Sequence, residues 1–330
     1  MKIKLKKISI IVYARGDFEQ TKKTLYSIID QNVNHLFFDV LILSDDSNPN
    51  FLEKLNKFID SELLINYSIL PLDKYNGLPL SLVFLLKNNL VNGKYTTILK
   101  SGDVLKEGWI QYFLDNLFDL NKDCYMSDLK EKLLVEKKVS KKDRNKDWLK
   151  PEYKVVKSKI FISESSSKEL TLDEALSTKA IFLGKFFKTS RIKDIEAVDD
   201  RILYQHIFVY FEMILKCSSF YYVSKISATI VHKPLFPHKK MDSERIKLLL
   251  NVLNVMVCQK PYVNGQVLQL LALAIINTSK DLRYVYKLKN YKYLDNKNYV
   301  IVPTYMSKWK TMLLTKNIIN TGKYKTKKRK

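Results

Sequence analysis

The chain is poor in the residues that staple or punctuate small folds. It has three cysteines in 330 residues, Cys124, Cys217 and Cys258, far apart and without a CxxC. That excludes a disulfide framework and a cysteine metal site, and fits reduced cytosolic thiols. Eight glycines and eight prolines exclude collagen-like and low-complexity classes. Long apolar runs are missing too. Residues 267–276 are strongly apolar but fall short of the roughly 20 needed to cross a bilayer. The apolar run near the N-terminus lacks a small-residue cleavage site, so no signal peptide is expected. Zinc-finger spacing, an RNP-type aromatic motif, a helix-turn-helix pattern, a Gly-rich phosphate loop and internal repeats are all absent.

Acidic residues are outnumbered: 57 Lys and Arg stand against 34 Asp and Glu, a formal charge of +23. Such an excess asks for an anionic partner, whether nucleic acid, anionic lipid or a polyanionic glycan. Nucleic acid has charge alone in its favour and is not expected. A hydrophobic share of 46% makes the chain globular. Its length suits a catalytic domain of about 200 to 250 residues with an appendage.

The organising stretch lies near the start. Residues 8–13 read as a buried parallel strand, which Gly16-Asp17 ends. Phe18, Leu25, Ile28 and Ile29 approximate helical spacing across residues 17–31, with Asp17 as the N-cap. Residues 38–43 form a second strand running into Asp45-Asp46-Ser47. This β-α-β unit puts carboxylates at the carboxyl end of a strand, the edge where open parallel sheets bind ligands.

A helix over 51–59, a strand over 63–70, Asn76-Gly77 with a long apolar helix, and a strand over 95–99 follow. The last delivers Lys100-Ser101-Gly102-Asp103-Val104-Leu105 to the same edge as Asp46. Residues 109–120 read as a helix. Residues 124–150 are charged and weakly periodic and read as an insertion or acceptor loop, with Lys137, Lys138, Lys141 and Lys142 facing either solvent or an anionic substrate. Asp199-Asp200 precede an apolar helix over 202–215, and a β-rich run over 220–231 ends at His232. Past Pro234 and Pro237 the pattern turns helical, over 243–258 and 266–278, which places a boundary near 238. The chain closes on a basic run, Lys323 to Lys330, suited to anionic headgroups or to solvent.

Thr24-Leu25, Ser27-Ile28 and Gln31, then a strand into Asp45-Asp46-Ser47, resemble the opening of family 2 glycosyltransferases of the GT-A fold. Those enzymes read Thr-Leu-x-Ser-Ile-x-x-Gln, an apolar strand, then Asp-Asp-Gly-Ser. Asn76-Gly77, Gly93-Lys94-Tyr95, and Lys185-Phe186-Phe187-Lys188-Thr189-Ser190 followed by Asp199-Asp200 are similar to later family motifs. The resemblance spans residues 8–235. It implies a Rossmann-like α/β fold, a mostly parallel central sheet flanked by helices, over residues 1–238. A small helical C-terminal region with a basic tail is expected over 239–330.

The implied activity is inverting transfer of a sugar from a nucleotide-sugar, of UDP type, to a bacterial surface glycan, glycopolymer or glycoprotein. By position, Asp46 meets the base or ribose, with Tyr13 and Arg15 lining that pocket and Tyr13 able to stack on the base. Asn76, Lys100, Ser101 and Asp103 fall on the donor. Asp200 stands at the catalytic base and Asp199 beside it, where a helix cap is the competing role. The protein is expected in the cytoplasm, in peripheral contact with the inner membrane face or with another glycosyltransferase.

One departure stands out. Where the family has Asp-x-Asp-Asp-x-Leu, Lys100 and Gly102 replace the first two acids and Asp103 alone remains. The family pair holds Mn2+ or Mg2+ on the donor diphosphate. Here Asp103 and His232 are the remaining candidate ligands, and the lost pair counts against strong binding of either cation. Lys100 is either a point charge that takes over from the metal or a solvated lysine in a domain that has lost catalysis. In the second case the domain is a glycan-binding or partner-binding scaffold.

Overall fold

The computed structural model describes residues 8–15, 17–44, 49–62, 66–71, 77–136, 153–161, 166–178, 181–195 and 205–232. In chain order the elements are β1 (Ile8–Ala14), α1 (Phe18–Ile29), β2 (Phe38–Ser44), α2 (Pro49–Ser61), β3 (Tyr67–Pro71), α3 (Gly77–Lys87), β4 (Tyr95–Lys100) and β5 (Val104–Leu105). Then come α4 (Trp109–Asn116), β6 (Cys124–Glu136), β7 (Tyr153–Phe161), β8 (Lys168–Leu170), α5 (Leu172–Ser177), β9 (Lys185–Lys188), α6 (Thr189–Ile192), α7 (Gln205–Lys216) and β10 (Phe220–His232).

β1 is buried at every position because it is central, with β2 parallel on one side and β4 parallel on the other. A strand covered on both faces has no polar face, so it reads as a continuous apolar run. The sheet order among the described residues is β3-β2-β1-β4-β9-β6-β10-β5, with β7 on β6 and β8 on β10. The half from β3 to β4 is parallel. Beyond it β9 runs antiparallel to both β4 and β6, β10 is parallel to β6, and β5 is antiparallel to β10. The expected α/β class with helices flanking a Rossmann-like sheet is what is found, and its second half is mixed.

Asp17 caps α1 as expected, its Oδ1 accepting from the Glu19 amide at 3.0 Å. The stretch over 124–150 departs from the reading as an insertion. Its first 13 residues form β6, paired with β7, β9 and β10. The alternation that would have marked a strand is broken by half-buried Ser127 and buried Asp128. The Ser127 hydroxyl lies 2.7 Å from the Gly184 carbonyl and 2.5 Å from the Ser227 hydroxyl, and Tyr222 donates to Asp128. Burial of those polar groups is offset by partners far away in sequence, which no local pattern reveals. Lys137, Lys138, Lys141 and Lys142, and the helical region over 239–330, lie outside the described residues.

The chain divides into two compact units. The first holds most of the sheet, with α1 to α4 and α6. Its aromatic core is centred on Tyr95, whose ring meets Phe113, Phe118 and Tyr125 edge-on at 5.3 to 5.6 Å, while Phe113 stacks on Phe186 at 4.0 Å. The Tyr95 and Tyr125 hydroxyls donate to the Lys122 and Leu117 carbonyls, so neither is stranded. The second unit holds α5 and α7. α5 begins with a reciprocal Thr171/Glu174 capping box, and α7 buries Val209, Phe211, Met213 and Ile214. Among the described residues, no helix is long and apolar enough to cross a membrane.

Asp123 ties three segments of the first unit together. Its carboxylate, only 2% exposed, accepts from the Ser218 amide and hydroxyl at 3.0 and 2.7 Å and faces Arg191 Nε at 3.2 Å and Lys188 Nζ at 3.8 Å. Burial alone would raise its pKa, but the Ser218 hydrogen bonds and Arg191 outweigh it and hold the pKa below the usual carboxylate value. A pKa lowered by folding stabilises the fold above the unfolded value near 4, and that contribution fades as pH falls through the folded value. Asp123→Asn is therefore expected to cost about 1 to 2 kcal/mol at pH 7. The gap from the parent should narrow below about pH 4, as urea melts across pH would show.

Gly93 explains one sequence motif by contact alone. A Cβ there would sit 2.3 Å from the Ser9 amide nitrogen and 2.5 Å from the Ile8 carbonyl carbon, because the chain crosses the foot of β1 before entering β4. Backbone atoms cannot step aside as a flexible side chain can. Gly93→Ala is expected to destabilise the protein by about 3 kcal/mol, read from the shift in urea midpoint at unchanged slope.

Candidate functional site

Register brings the ends of three parallel strands to one edge. Ala14 is opposite Ser44, and Tyr13 lies between Leu43 and Lys100. The chain leaves β2 there, two residues before Asp46, and leaves β4 there into the turn Ser101-Gly102-Asp103. This is the carboxyl edge of the parallel half, where ligands of such sheets bind.

The turn is held by α1. The Thr21 hydroxyl lies 2.8 Å from that of Ser101, and the Gly102 amide donates to Thr24 Oγ1 at 2.9 Å and to the Gln20 carbonyl at 3.2 Å. One turn further along, the Leu105 amide donates to Ser27 Oγ at 3.1 Å. Gln31 then uses both ends of its amide. Nε2 donates to the Ser27 and Lys106 carbonyls at 2.8 and 2.9 Å, while Oε1 accepts from the Ile110 amide at 3.0 Å. Thr24 and Ser27 are buried on one face of α1, and buried Gln31, two residues past its last turn, continues their line. The polar letters of the Thr-Leu-x-Ser-Ile-x-x-Gln pattern are thus a stripe that fastens residues 100–110.

The turn also closes on itself and on β1. The Lys100 amide donates to Asp103 Oδ2 and the Asp103 amide to the Lys100 carbonyl, both at 2.9 Å. Ser101 donates from its amide to the Tyr13 carbonyl at 3.0 Å and receives the Arg15 amide on its hydroxyl at 3.1 Å. β5 follows at once and pairs with Ala228 and Thr229 of β10.

Charge in this corner is unusual. Asp103 is 7% exposed, and burial raises its pKa to about 7 against the lowering effects of the Lys100 amide and the Lys100 charge. Lys100 keeps much of its side chain at the surface, yet the protein packed around its head lowers its pKa, with Asp103 pulling the other way. Gly102 has a φ of +93°, in the region that favours glycine, and a Cβ there would come within 3.1 Å of Gln20 Oε1.

Tyr13, Arg15, Lys100, Ser101 and Asp103 are therefore gathered at one edge. Asp46, Asn76, Asp199 and Asp200 lie outside the described residues, as does the side chain of His232. The backbone of His232 ends β10 opposite Leu133, three residues past the Thr229 that pairs with β5. Gln20 and Thr21 were not singled out in the sequence. Their contribution is positional, and its only sequence trace is proximity to the Thr24 motif.

Among the described residues, no cluster of three His, Cys, Asp or Glu is placed to hold a metal ion. Positions 100 and 102 hold a lysine and a glycine whose backbone disfavours a carboxylate residue, and one oxygen of Asp103 is engaged by the Lys100 amide. A hard divalent cation asks for several oxygen ligands, so these residues fit one poorly.

The chain was compared with known proteins. Among solved structures it is similar to residues 1–349 of TarS from S. aureus, with a TM-score of 0.60, 14% identity, and coverage of 87% of this chain and 77% of that one. The same TarS segment in complex with UDP-GlcNAc gives a TM-score of 0.61 at 14% identity, covering 87% and 78%. Against the longer TarS chain the TM-score is 0.58 at 14% identity, with 88% of this chain aligned over 46% of that one. Identity this low establishes the shared GT-A fold and no more. Among curated proteins none matches the sequence. A sequence profile described as glycosyl transferase family 2 matches residues 8–172, half of the chain, and encompasses the β1-α1-β2 unit, the α1 stripe and the turn it holds. The chain belongs to glycosyl transferase family 2.

Proposed function

We propose that the protein transfers a sugar from a UDP-sugar to a hydroxyl of a bacterial surface glycan, glycopolymer or glycoprotein, with inversion at the anomeric carbon. The observation that carries this reading is the turn after β4. It is clamped by α1 at the carboxyl edge and presents Lys100, Ser101 and Asp103 beside Tyr13 and Arg15. TarS, which shares the fold, has been solved with UDP-GlcNAc, and this supports a uridine donor.

In this reading Asp46 holds the base or ribose, Tyr13 lines that pocket, and Asn76 contacts the donor. The acceptor oxygen attacks the anomeric carbon from the face opposite the diphosphate. The bond from that carbon to the diphosphate oxygen breaks, its electron pair leaves with UDP, and the acceptor's proton passes to the Asp200 carboxylate. Asp199 is the neighbouring carboxylate that raises the basicity of Asp200. Residues 239–330 form the helical appendage, whose basic end rests on anionic lipid at the inner membrane face.

A second reading is favoured by the lost acidic pair: a catalytically silent domain that binds a glycan or a partner enzyme. The discriminating experiment is UDP release from a panel of UDP-sugars with glycan acceptors, alongside calorimetry with UDP. Release with at least one donor is expected, and UDP binding without any release would favour the silent domain. Asp200→Asn should lower transfer about 100-fold or more while leaving UDP affinity unchanged. A folded Asp200→Asn protein with full activity would remove the base assignment.

A further inference from the structure

A diphosphate at the carboxyl edge must be neutralised for UDP to leave, and the family does this with a cation held by the acidic pair. In this chain the same backbone carries different chemistry. Lys100 ends β4 with its side chain largely exposed, and register sets it beside Tyr13. Two residues after Tyr13 is Arg15, also exposed, with its amide fixed on the Ser101 hydroxyl. That hydroxyl is in turn held by Thr21 of α1. Lys100 and Arg15 therefore leave the backbone on either side of one clamped residue, Ser101. Arg15 carries the permanent charge of a guanidinium and Lys100, when protonated, the charge of an ammonium, so together they match the charge of one divalent ion.

The geometry of Gly102 points the same way. The second acid of the pair is replaced by a residue at positive φ, with Gln20 Oε1 3.1 Å from where a Cβ would be. The turn has settled into a form that has no use for a carboxylate there. A clamped backbone also lowers the cost of binding, since the main chain that carries the charged side chains does not have to be ordered when the donor arrives.

Resting on the donor reading given above, we infer that Lys100 and Arg15 neutralise the donor's diphosphate in place of a divalent cation, so that the enzyme works without metal. Lys100 supplies a point charge and Arg15 a planar fork for phosphate oxygens. The charge that develops on the leaving diphosphate is met by fixed side chains, with no ion to recruit.

The test uses the full chain, treated with EDTA, and compares UDP with uridine, which lacks the phosphates. Sugar transfer and UDP affinity in EDTA should stay within about twofold of their values in Mn2+ or Mg2+. Lys100→Met and Arg15→Gln should each weaken UDP binding about tenfold and slow transfer further, with the melting temperature unchanged, and Lys100→Met should leave uridine binding unchanged. Lys100→Arg should recover most of the UDP affinity. Turnover that EDTA abolishes and Mn2+ restores would overturn the inference while leaving the donor reading intact. UDP affinity indifferent to both substitutions would overturn it as well and make Lys100 a solvated surface lysine. A folded protein that binds neither UDP nor another nucleoside diphosphate, with metal or without, would instead overturn the donor reading on which the inference rests.

Discussion

The hydrogen bonds between the polar stripe of α1 and the segment after β4 are the constraint on which the candidate site depends. A turn at the end of a strand has unpaired amides, and left alone it would sample many conformations and hydrogen-bond to water. Here Thr24 takes the Gly102 amide, Ser27 the Leu105 amide and Gln31 the Ile110 amide, all in buried settings. Breaking any one would strand a buried donor, which costs more than the bond nominally contributes. The helix is therefore both part of the packing and the jig that sets where Lys100, Ser101 and Asp103 emerge.

Behind the jig stands a sheet whose two halves do different work. The parallel half brings strand ends to one edge and buries β1 on both faces. The mixed half supports β5, the short strand that follows Asp103, by pairing it with β10, which is itself held to β6 over ten paired residues. Serines 127 and 227 and the Gly184 carbonyl form a partly buried chain of hydrogen bonds in that half. The site is thus gripped from the helix side and from the strand side.

How much of this the amino-acid order reveals depends on the distance over which each feature is decided. β1, β2 and β4 are legible because two-sided burial demands apolar runs. The cap of α1 is legible because Asp17 sits two residues from the amide it accepts. The family motif around Thr24, Ser27 and Gln31 is legible as letters, but its meaning is not. The partners of these side chains lie 78 or 79 positions away and become neighbours only in the folded chain. β6 hides for a similar reason. Its half-buried Ser127 and buried Asp128 are satisfied by partners 57 to 100 positions distant, so the strand looks charged and irregular. The lysine and glycine at positions 100 and 102 are plain in the sequence, whereas the positive φ at Gly102 is not.

That backbone angle bears on how such a site changes over generations. A substitution at Lys100 that keeps a positive charge needs only a side chain of suitable reach, since its backbone already satisfies the turn. A carboxylate introduced at position 102 would carry backbone strain before any ligand geometry is in place. The loop therefore acts as a ratchet. Exchange at position 100 is open, while placing a carboxylate at position 102 passes through a less stable protein.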